Sequence, residues 1–443
     1  MKTRKLSLIV LGILLMGNVS LQAEEIPDKE VVDNVSQAEA PAIEQPVSQA
    51  DLEGVRGELA VLSDKLARQL DKNVAATTRS LKISGSTSSK YSAVQYTNKP
   101  GEYKSGFAPS SVSVSFKGNL KKDYDYGRDL NYVAGFSASA TSTATSNTVP
   151  QDAYIQYSLL PTRDQELPTL TLQFGQQKRL FGLEAASTEE KQPVINGATF
   201  AGGSGLNLSP RDIGLQLKGD LFPTVDLGFG YRVPLIEYYL GVYNGAGANL
   251  PDTDTSRDIL GRIVFNAPVG FYSPYKGLSF GSSFYKPGDV DITNAAGLKG
   301  RGSKFRYGQD ISYVSAPIGF TAEYAVGRDE NFSNSTASAV KTTTQSQGYT
   351  LTLFYSFGEQ FLPNFKSQSR SDDWWPKTYE PFVRFDRWDP NTSVDNDHTT
   401  IVTYGLNVFF AETTKLAINY SLTDKLSTNL KQNDLVVQFQ YSF

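Results

Sequence analysis

The chain ends with the stretch Asn433–Phe443, NDLVVQFQYSF, in which apolar and polar side chains alternate. A period of two predicts a β-strand with one apolar and one polar face. Val436 is out of phase, and the apolar set is Leu435, Val437, Phe439, Tyr441 and Phe443. A strand that closes a barrel in lipid needs this pattern, with apolar side chains outward and an aromatic residue at the interface. A strand of a soluble sandwich is the alternative interpretation.

The composition favours one large transmembrane barrel over a bundle of membrane helices. Only 39% of the 443 residues are hydrophobic, and the mean hydropathy is −0.33. Beyond the N-terminus, no apolar run reaches the roughly 20 residues that a spanning helix needs. The chain nevertheless contains 24 Tyr, 25 Phe and 37 Gly. This combination is typical of a barrel, in which only alternate residues contact lipid.

Two scarce residue types exclude several kinds of chemistry. The chain has no cysteine, which excludes disulfides, thiolate metal sites and thiol nucleophiles. Its one histidine, His398, lies among acidic and polar neighbours and is expected in a loop. A single histidine argues against His-based triads and His-rich metal sites. We therefore expect no enzymatic activity, no metal and no cofactor.

The N-terminal residues predict export from the cytoplasm. Residues 1–23 have a charged start (Lys2, Arg4, Lys5), an apolar core and Ala23 before a cleavage point, which indicates a signal peptide. An uncleaved anchor is the alternative. Cleavage changes the formal net charge of −4 to −4 − 3 = −7, which argues against a nucleic-acid partner. We expect the protein in the outer membrane of a Gram-negative-type cell.

Two segments separate the signal peptide from the predicted barrel at residues 79–443. Residues 24–50 are acidic and contain three prolines, which predicts a flexible periplasmic spacer. Residues 51–78 contain an apolar stripe at spacings of three and four, which predicts an amphipathic helix with a coiled-coil seam. Self-association through this helix is the favoured interpretation, and packing against its own barrel is the alternative. The stripe consists of Leu52, Val55, Leu59, Leu62 and Leu66.

From about residue 81 to the end, the hydrophobic period is two. The segments are about ten residues long, which is the length that a tilted strand needs to cross a bilayer. Val225–Tyr243, with Pro234 between, is either one long strand or two. Because single-chain bacterial barrels have even strand numbers, we predict an all-β fold, a sixteen-stranded antiparallel barrel with an aqueous lumen.

The longest interruption of the alternation is residues 182–210. It is too long for a simple turn, and long ordered loops are usually functional. We predict that it folds into the lumen and narrows it, with an external surface loop as the alternative. Its charged candidates for the constriction are Glu184, Glu189, Glu190 and Lys191.

Several short motifs resemble the phosphate-selective (O/P-type) porins. They are Phe174–Lys178, Gly182–Glu184, Ser187–Thr188, Arg211–Leu217, Tyr239–Gly245, Gly261–Ile263, Glu380–Asp386 and Val437–Phe443. The terminal Phe443 also resembles the residue by which the assembly machinery reads outer-membrane barrels. The resemblance implies a homotrimeric, sixteen-stranded channel with a basic lumen that conducts anions. In that family a ladder of arginines and a lysine cluster guide phosphate.

The alternation predicts which charged side chains face the lumen. Out of phase with the apolar stripe are the bases Lys117, Arg179, Lys218, Arg262, Arg306, Arg384 and Lys415 and the acids Asp212, Asp310, Glu323 and Asp386. Lys178 and Arg211 are in phase with it and are expected at strand ends. The candidate anion path is Lys117, Lys178, Arg179, Arg211, Arg262, Arg306 and Arg384, because fixed cations replace the hydration that an anion loses in a narrow pore.

Salt-bridged walls are the alternative to an anion path, since the acids are nearly as numerous as the bases. Arg384 with Asp386, and Arg306 with Asp310, share one strand face and are candidate pairs. The three tryptophans, Trp374, Trp375 and Trp388, predict an interfacial belt, with carbohydrate stacking as the alternative.

The predicted function is passive diffusion of small hydrophilic solutes through a general or weakly selective pore. A stronger selectivity for anions such as phosphate is the alternative. The predicted partners are these solutes, outer-membrane lipid and two further copies of the chain. A structural or adhesive barrel without an open pore and a sugar-conducting porin are the alternatives.

Overall fold

The computed structural model describes most of the chain from residue 81 onward. The described residues are 55–59, 61–63, 81–98, 102–140, 146–161, 164–187, 192–208, 211–252, 255–293, 297–315, 317–332, 340–358, 376–411 and 414–443. The predicted signal peptide and spacer lie outside the described residues. Residues 55–59 and 61–63 are helical, so part of the predicted N-terminal helix is confirmed. Its coiled-coil pairing stays a prediction. None of the described helical residues forms a helix with the length and apolar character needed to cross a membrane.

Sixteen antiparallel strands form a closed barrel, as predicted. They are β1 (Lys82–Tyr96), β2 (Tyr103–Lys121), β3 (Leu130–Ala140), β4 (Ser146–Ser158), β5 (Leu170–Lys178), β6 (Arg211–Asp226), β7 (Tyr231–Tyr243), β8 (Asp258–Asn266), β9 (Leu278–Lys286), β10 (Lys304–Ser315), β11 (Ile318–Phe332), β12 (Lys341–Tyr355), β13 (Thr378–Asp389), β14 (Thr399–Ala411), β15 (Thr414–Lys425) and β16 (Leu430–Ser442). Each strand pairs with its neighbours in the sequence. Phe357–Gly358 continues β12 along β13, and a two-stranded hairpin, Val290–Thr293 with Lys299–Gly302, lies between β9 and β10.

The last strand closes the barrel against the first. In the β1–β16 pairing, Ser86 lies opposite Ser442 and Lys90 opposite Gln438. Beyond β16, the Phe443 backbone N–H donates to the Gly85 carbonyl at 2.9 Å, and the Gly85 N–H donates to the Phe443 carbonyl at 3.0 Å. A Cβ at Gly85 would lie 2.5 Å from the Ser113 carbonyl oxygen and 2.7 Å from the Phe443 ring, so a side chain there would force the backbone to shift. The closing role predicted for residues 433–443 is therefore confirmed.

Side chains alternate between an apolar outer face and a polar inner face. In β8, Ile259, Ile263 and Phe265 are exposed on the outside, whereas Asp258 and Arg262 are buried on the inside. Since the outside of a barrel in lipid is the apolar side, this arrangement is the reverse of a soluble protein and fits a membrane barrel.

The structure corrects the predicted position of one tryptophan and resolves the strand division of residues 225–243. Trp388 is 7% exposed and faces inward among apolar residues, so its predicted place in an outer aromatic belt is wrong. It is out of phase with Phe385 and Val383, and parity therefore turns it inward. Val225–Tyr243 contains the last two residues of β6, a 3₁₀ turn at Leu227–Phe229 and the whole of β7, so Pro234 lies within a strand rather than between two. Trp374 and Trp375 lie outside the described residues.

Candidate functional site

The long loop between β5 and β6 lies inside the barrel. We call residues 179–210 the constriction loop. Its apolar side chains are buried in one cluster with inward side chains of the barrel wall. Wall glycines make room for them: a Cβ at Gly308 would lie 2.7 Å from the Phe181 ring, and a Cβ at Gly348 would overlap Phe200. The cluster contains the loop residues Phe181, Ala185, Ala198, Phe200, Ala201, Leu206 and Leu208 and the wall residues Tyr243, Leu260, Tyr285, Ala325 and Trp388.

Polar contacts hold the same loop to half of the barrel wall. Every strand from β8 to β15 contacts it, by a hydrogen bond on seven strands and by packing of Phe200 against Gly348 on β12. The wall residues that bond to the loop are Asp258, Ser283, Arg306, Glu323, Arg384, Asp386, Asn407 and Lys415. The loop therefore narrows the lumen from one side.

The predicted lumen arginines are all ion-paired. Arg179, the first residue of the loop, contacts Asp258 at 2.9 Å and Asp212 at 4.0 Å, and its guanidinium lies 4.5 Å from the centre of the Tyr285 ring. Arg384 bonds to both carboxylate oxygens of Glu184 at 3.1 Å. It also lies 3.5 Å from Asp386, which confirms that predicted pair.

Arg306 has a different partner from the one predicted. It binds Asp329 through both carboxylate oxygens, one of them at 3.0 Å from Nη2, and Asp310 instead binds Arg262, with 3.0 Å between Arg262 Nη2 and Asp310 Oδ1. The physical reason is distance along the strand. Residues four apart on one strand are separated by about 13 Å, whereas side chains on adjacent strands lie about 5 Å apart. Cross-strand partners are therefore closer than same-strand ones.

Lys178 and Arg211 lie at strand ends, as predicted. Lys178 is the last residue of β5, and its ammonium group donates to the Ser187 carbonyl of the loop. Arg211 opens β6 and binds Asp152 through two hydrogen bonds of 2.8 and 3.2 Å. Both groups thus belong to local contacts at the base of the constriction loop.

The wall that the loop leaves largely uncovered consists of β16 and β1–β6 and is mostly uncharged and polar. In the described chain, the loop reaches it only near its own ends, where Lys178 bonds to Ser187 and Arg179 lies 4.0 Å from Asp212. Serine hydroxyls bond across β1 and β2, as in Ser88 with Ser111 at 2.6 Å. Glutamines continue the network across β4, β5 and β6, where Gln173 donates to Gln156 at 2.7 Å and Gln216 donates to Gln173 at 3.3 Å. A pore lined in this way offers hydrogen bonds to hydrophilic solutes without a strong preference for charge.

Two predicted lumen lysines lie on this uncovered wall. Lys117 on β2 is exposed and lies opposite Lys82 in the β1–β2 register. Lys218 on β6 is half-buried. Within the part of the chain that the structure describes, neither lysine has a carboxylate within ion-pair distance. These two ammonium groups differ in this respect from the arginines on the opposite wall.

The described part of the loop presents uncharged groups to the lumen. Its exposed residues are Asn196, Gly197, Gly203, Ser204 and Asn207. Glu184 turns towards the wall, where Arg384 and the Ala198 backbone N–H bind its carboxylate. The other predicted constriction residues, Glu189, Glu190 and Lys191, lie outside the described residues.

Three inward residues that pair with the arginines are not among the predicted lumen residues. Asp258, Tyr285 and Asp329 face inward and complete the arginine pairs. Asp258 lies beside the outward Ile259 and Tyr285 beside the outward Phe284, and Asp329 is out of phase with Val326 on the same strand. The same alternation would therefore have found all three.

No hydrolase-type or metal-type site is evident in the described chain. The spacing Gly-x-Ser-x-Gly occurs at residues 277–281, but Ser279 lies within β9, without the strand-to-helix turn that exposes a nucleophile. Among the residues that the structure covers, no three His, Asp or Glu side chains are grouped so that they could hold a metal ion.

The barrel and its internal loop define a porin-like fold. The anion-selective porin from Comamonas acidovorans superposes with a TM-score of 0.52 at 11% identity, over 82% of this chain and 99% of that one. Salmonella typhi OmpF in complex with daunomycin gives 0.51 at 12% identity, over 84% and 99%, and Pseudomonas putida OprB gives 0.52 at 8%, over 82% and 94%. No family model and no curated protein matches the sequence. The likeness is one of fold.

Proposed function

We propose that this protein is an outer-membrane porin of a Gram-negative-type cell, through which small hydrophilic solutes diffuse passively. The observation that carries the proposal is a closed barrel with an apolar outside and a lumen that one loop fills from one side only. The loop covers β8 to β15, and the remaining wall is lined by serine, glutamine and lysine side chains. Passive diffusion needs only a wet, shaped path and no chemical step.

A modest preference for anions belongs to this proposal, carried by lysines rather than arginines. The arginines of the candidate path each face a carboxylate within hydrogen-bond distance, so their fields largely cancel. Among the described residues, no carboxylate lies within ion-pair distance of Lys117 or Lys218 on the uncovered wall. Phosphate is one anion that such a path would pass, but the ion pairs do not favour a phosphate-specific arginine ladder.

The test is the reversal potential of purified protein in a planar bilayer across a KCl gradient. We expect a permeability ratio of chloride to potassium above one in the wild type. The ratio should fall towards one in the double variant Lys117→Ser, Lys218→Ser. Lys286→Ser is the matched control, because Lys286 lies opposite the outward Ile259 near a rim. If the double variant has the same permeability ratio as the wild type, the two lysines do not contribute to anion selectivity. If folded wild-type protein carries no current, the channel function is refuted and a structural or adhesive barrel is favoured.

We also propose a homotrimer. The outward positions of β1 are small or polar at Gly85, Thr87, Ser89 and Ala93, whereas outward positions of β12 are Tyr349, Leu351, Leu353 and Tyr355. Small side chains allow close contact between protein surfaces, and large apolar ones suit lipid. Mass measurement of the unheated protein in detergent tests this: a mass of one chain would contradict it.

A further inference from the structure

Glu323 holds the constriction loop in an unusual way. It lies on β11, is 3% exposed, and its Oε2 accepts the backbone N–H groups of both Leu183 and Glu184 at 2.8 Å. Gly182 begins this turn at φ 58°, and a Cβ there would overlap the Glu323 carboxylate. Successive N–H groups next to a left-handed residue form a concave anion site, or nest. The nest of the loop is therefore occupied by a carboxylate from the wall.

No side-chain cation accounts for the burial of Glu323. The nearby guanidinium of Arg262 donates two hydrogen bonds to Asp310, which is the cross-strand neighbour of Glu323. Within the described residues, no basic group lies within ion-pair distance of Glu323, and its Oε1 has no hydrogen-bond partner. A buried carboxylate is costly unless it is paired or hydrogen-bonded. The loop N–H groups supply that compensation, so the loop and Glu323 stabilise each other.

We propose that Glu323 is the positioning residue that keeps the 182–187 limb of the loop across the lumen. The inference rests on the proposed porin function and adds a site to it: a nest specific for a carboxylate. The second limb is held separately, because the Thr199 N–H donates to Asp386 at 3.0 Å. Loss of Glu323 loosens the first limb, which the Arg384–Glu184 pair still contacts. The loosened limb widens the pore, and the empty nest can bind a small free carboxylate.

The experiment compares wild type, Glu323→Ala and Glu323→Gln as full-length protein in planar bilayers. Because ion current depends on pore diameter, we expect Glu323→Ala to raise single-channel conductance by about 1.5-fold or more. Glu323→Gln keeps an acceptor oxygen and the side-chain volume and should lie between. Thr350→Ala is the matched control, since Thr350 lies opposite Glu323 on β12 and has no described bond to the loop.

Chemical rescue distinguishes a nest from a general packing defect. Sodium formate at constant ionic strength should return Glu323→Ala towards the wild-type conductance and leave wild type and Thr350→Ala unchanged. Wild-type conductance in Glu323→Ala would overturn the proposal, as would an increase that formate does not reverse. If Glu323→Ala does not fold, an unaltered Glu323→Gln would overturn it.

A second readout does not depend on conduction. Limited proteolysis with mass mapping should show cleavage within residues 179–210 in Glu323→Ala and protection in wild type. If wild type carries no current, the porin function fails, while the proteolysis still decides whether Glu323 positions the loop. Equal protection in both proteins would refute the positioning role.

Discussion

The ion pair between Arg384 and Glu184 gives a measurable prediction about how firmly the loop is held. Arg384 is 2% exposed and bonds to both oxygens of Glu184 at 3.1 Å, with Asp386 at 3.5 Å. Arg384→Met leaves these two carboxylates without their cation. Removing one partner of a buried pair costs about 3–5 kcal/mol when the other stays buried. Because Glu184 is on a loop that can move into water, we expect the lower end, about 3 kcal/mol.

A double-mutant cycle measures this coupling. Unfolding by urea in lipid vesicles gives the free energy of wild type, Arg384→Met, Glu184→Gln and the double variant. The double variant should be more stable than the sum of the single losses predicts, by at least about 1 kcal/mol. The exposed pair of Lys431 with Asp424, at 3.5 Å, is the control, and Lys431→Met should cost less than about 1 kcal/mol.

Additive losses of stability in the double-mutant cycle would contradict the predicted coupling. If the losses for Arg384→Met and Glu184→Gln add within about 0.5 kcal/mol, the two residues are not coupled. The loop would then be held by its apolar cluster and its other polar contacts, and the Arg384–Glu184 pair would have no part in holding it.

Three further predictions concern packing, closure and side-chain direction. Gly348→Ala should displace Phe200 and lower the melting temperature, whereas Gly106→Ala, with open space around it, should not; equal melting temperatures would contradict the packing. Deleting Phe443 removes both backbone bonds to Gly85 and should lower the temperature at which the folded band is lost on gels. In a Trp374→Phe, Trp375→Phe background, Trp388 fluorescence should resist quenching by brominated lipid, because its ring faces inward. Strong quenching would place that ring in lipid.

The strands and their faces could be predicted because the evidence for them is local. A side chain points to the opposite side from its neighbours, so Arg262, Arg306 and Glu323 were assigned inward from the residues beside them alone. The same rule turns Trp388 inward, whereas the general preference of tryptophan for interfaces predicts an outward position. The prediction failed where a statistical tendency replaced geometry.

The partners within the lumen could not be predicted in the same way. Arg306 binds Asp329, and which residues of adjacent strands face each other depends on register. The loop adds contacts over much longer separations: Glu184 and Arg384 are 200 residues apart. The alternation along its strand predicts that Glu323 faces inward. Its contact with the turn at Gly182 depends on how the closed barrel and the loop are arranged in space, which the alternation does not specify.

The anchoring of the loop also has a consequence for the order of folding. The eight strands that hold most of the loop, β8 to β15, follow it in the chain. Their hydrogen bonds to the loop span from 79 residues for Arg179 with Asp258 to 223 for Lys415 with Gln192. Contacts between distant residues form slowly, because the loop-closure entropy must be overcome first. Docking of the loop is therefore expected as the last step, after the cylinder has closed. Before the loop docks, the closed cylinder is expected to be wider and more permeable than the folded protein.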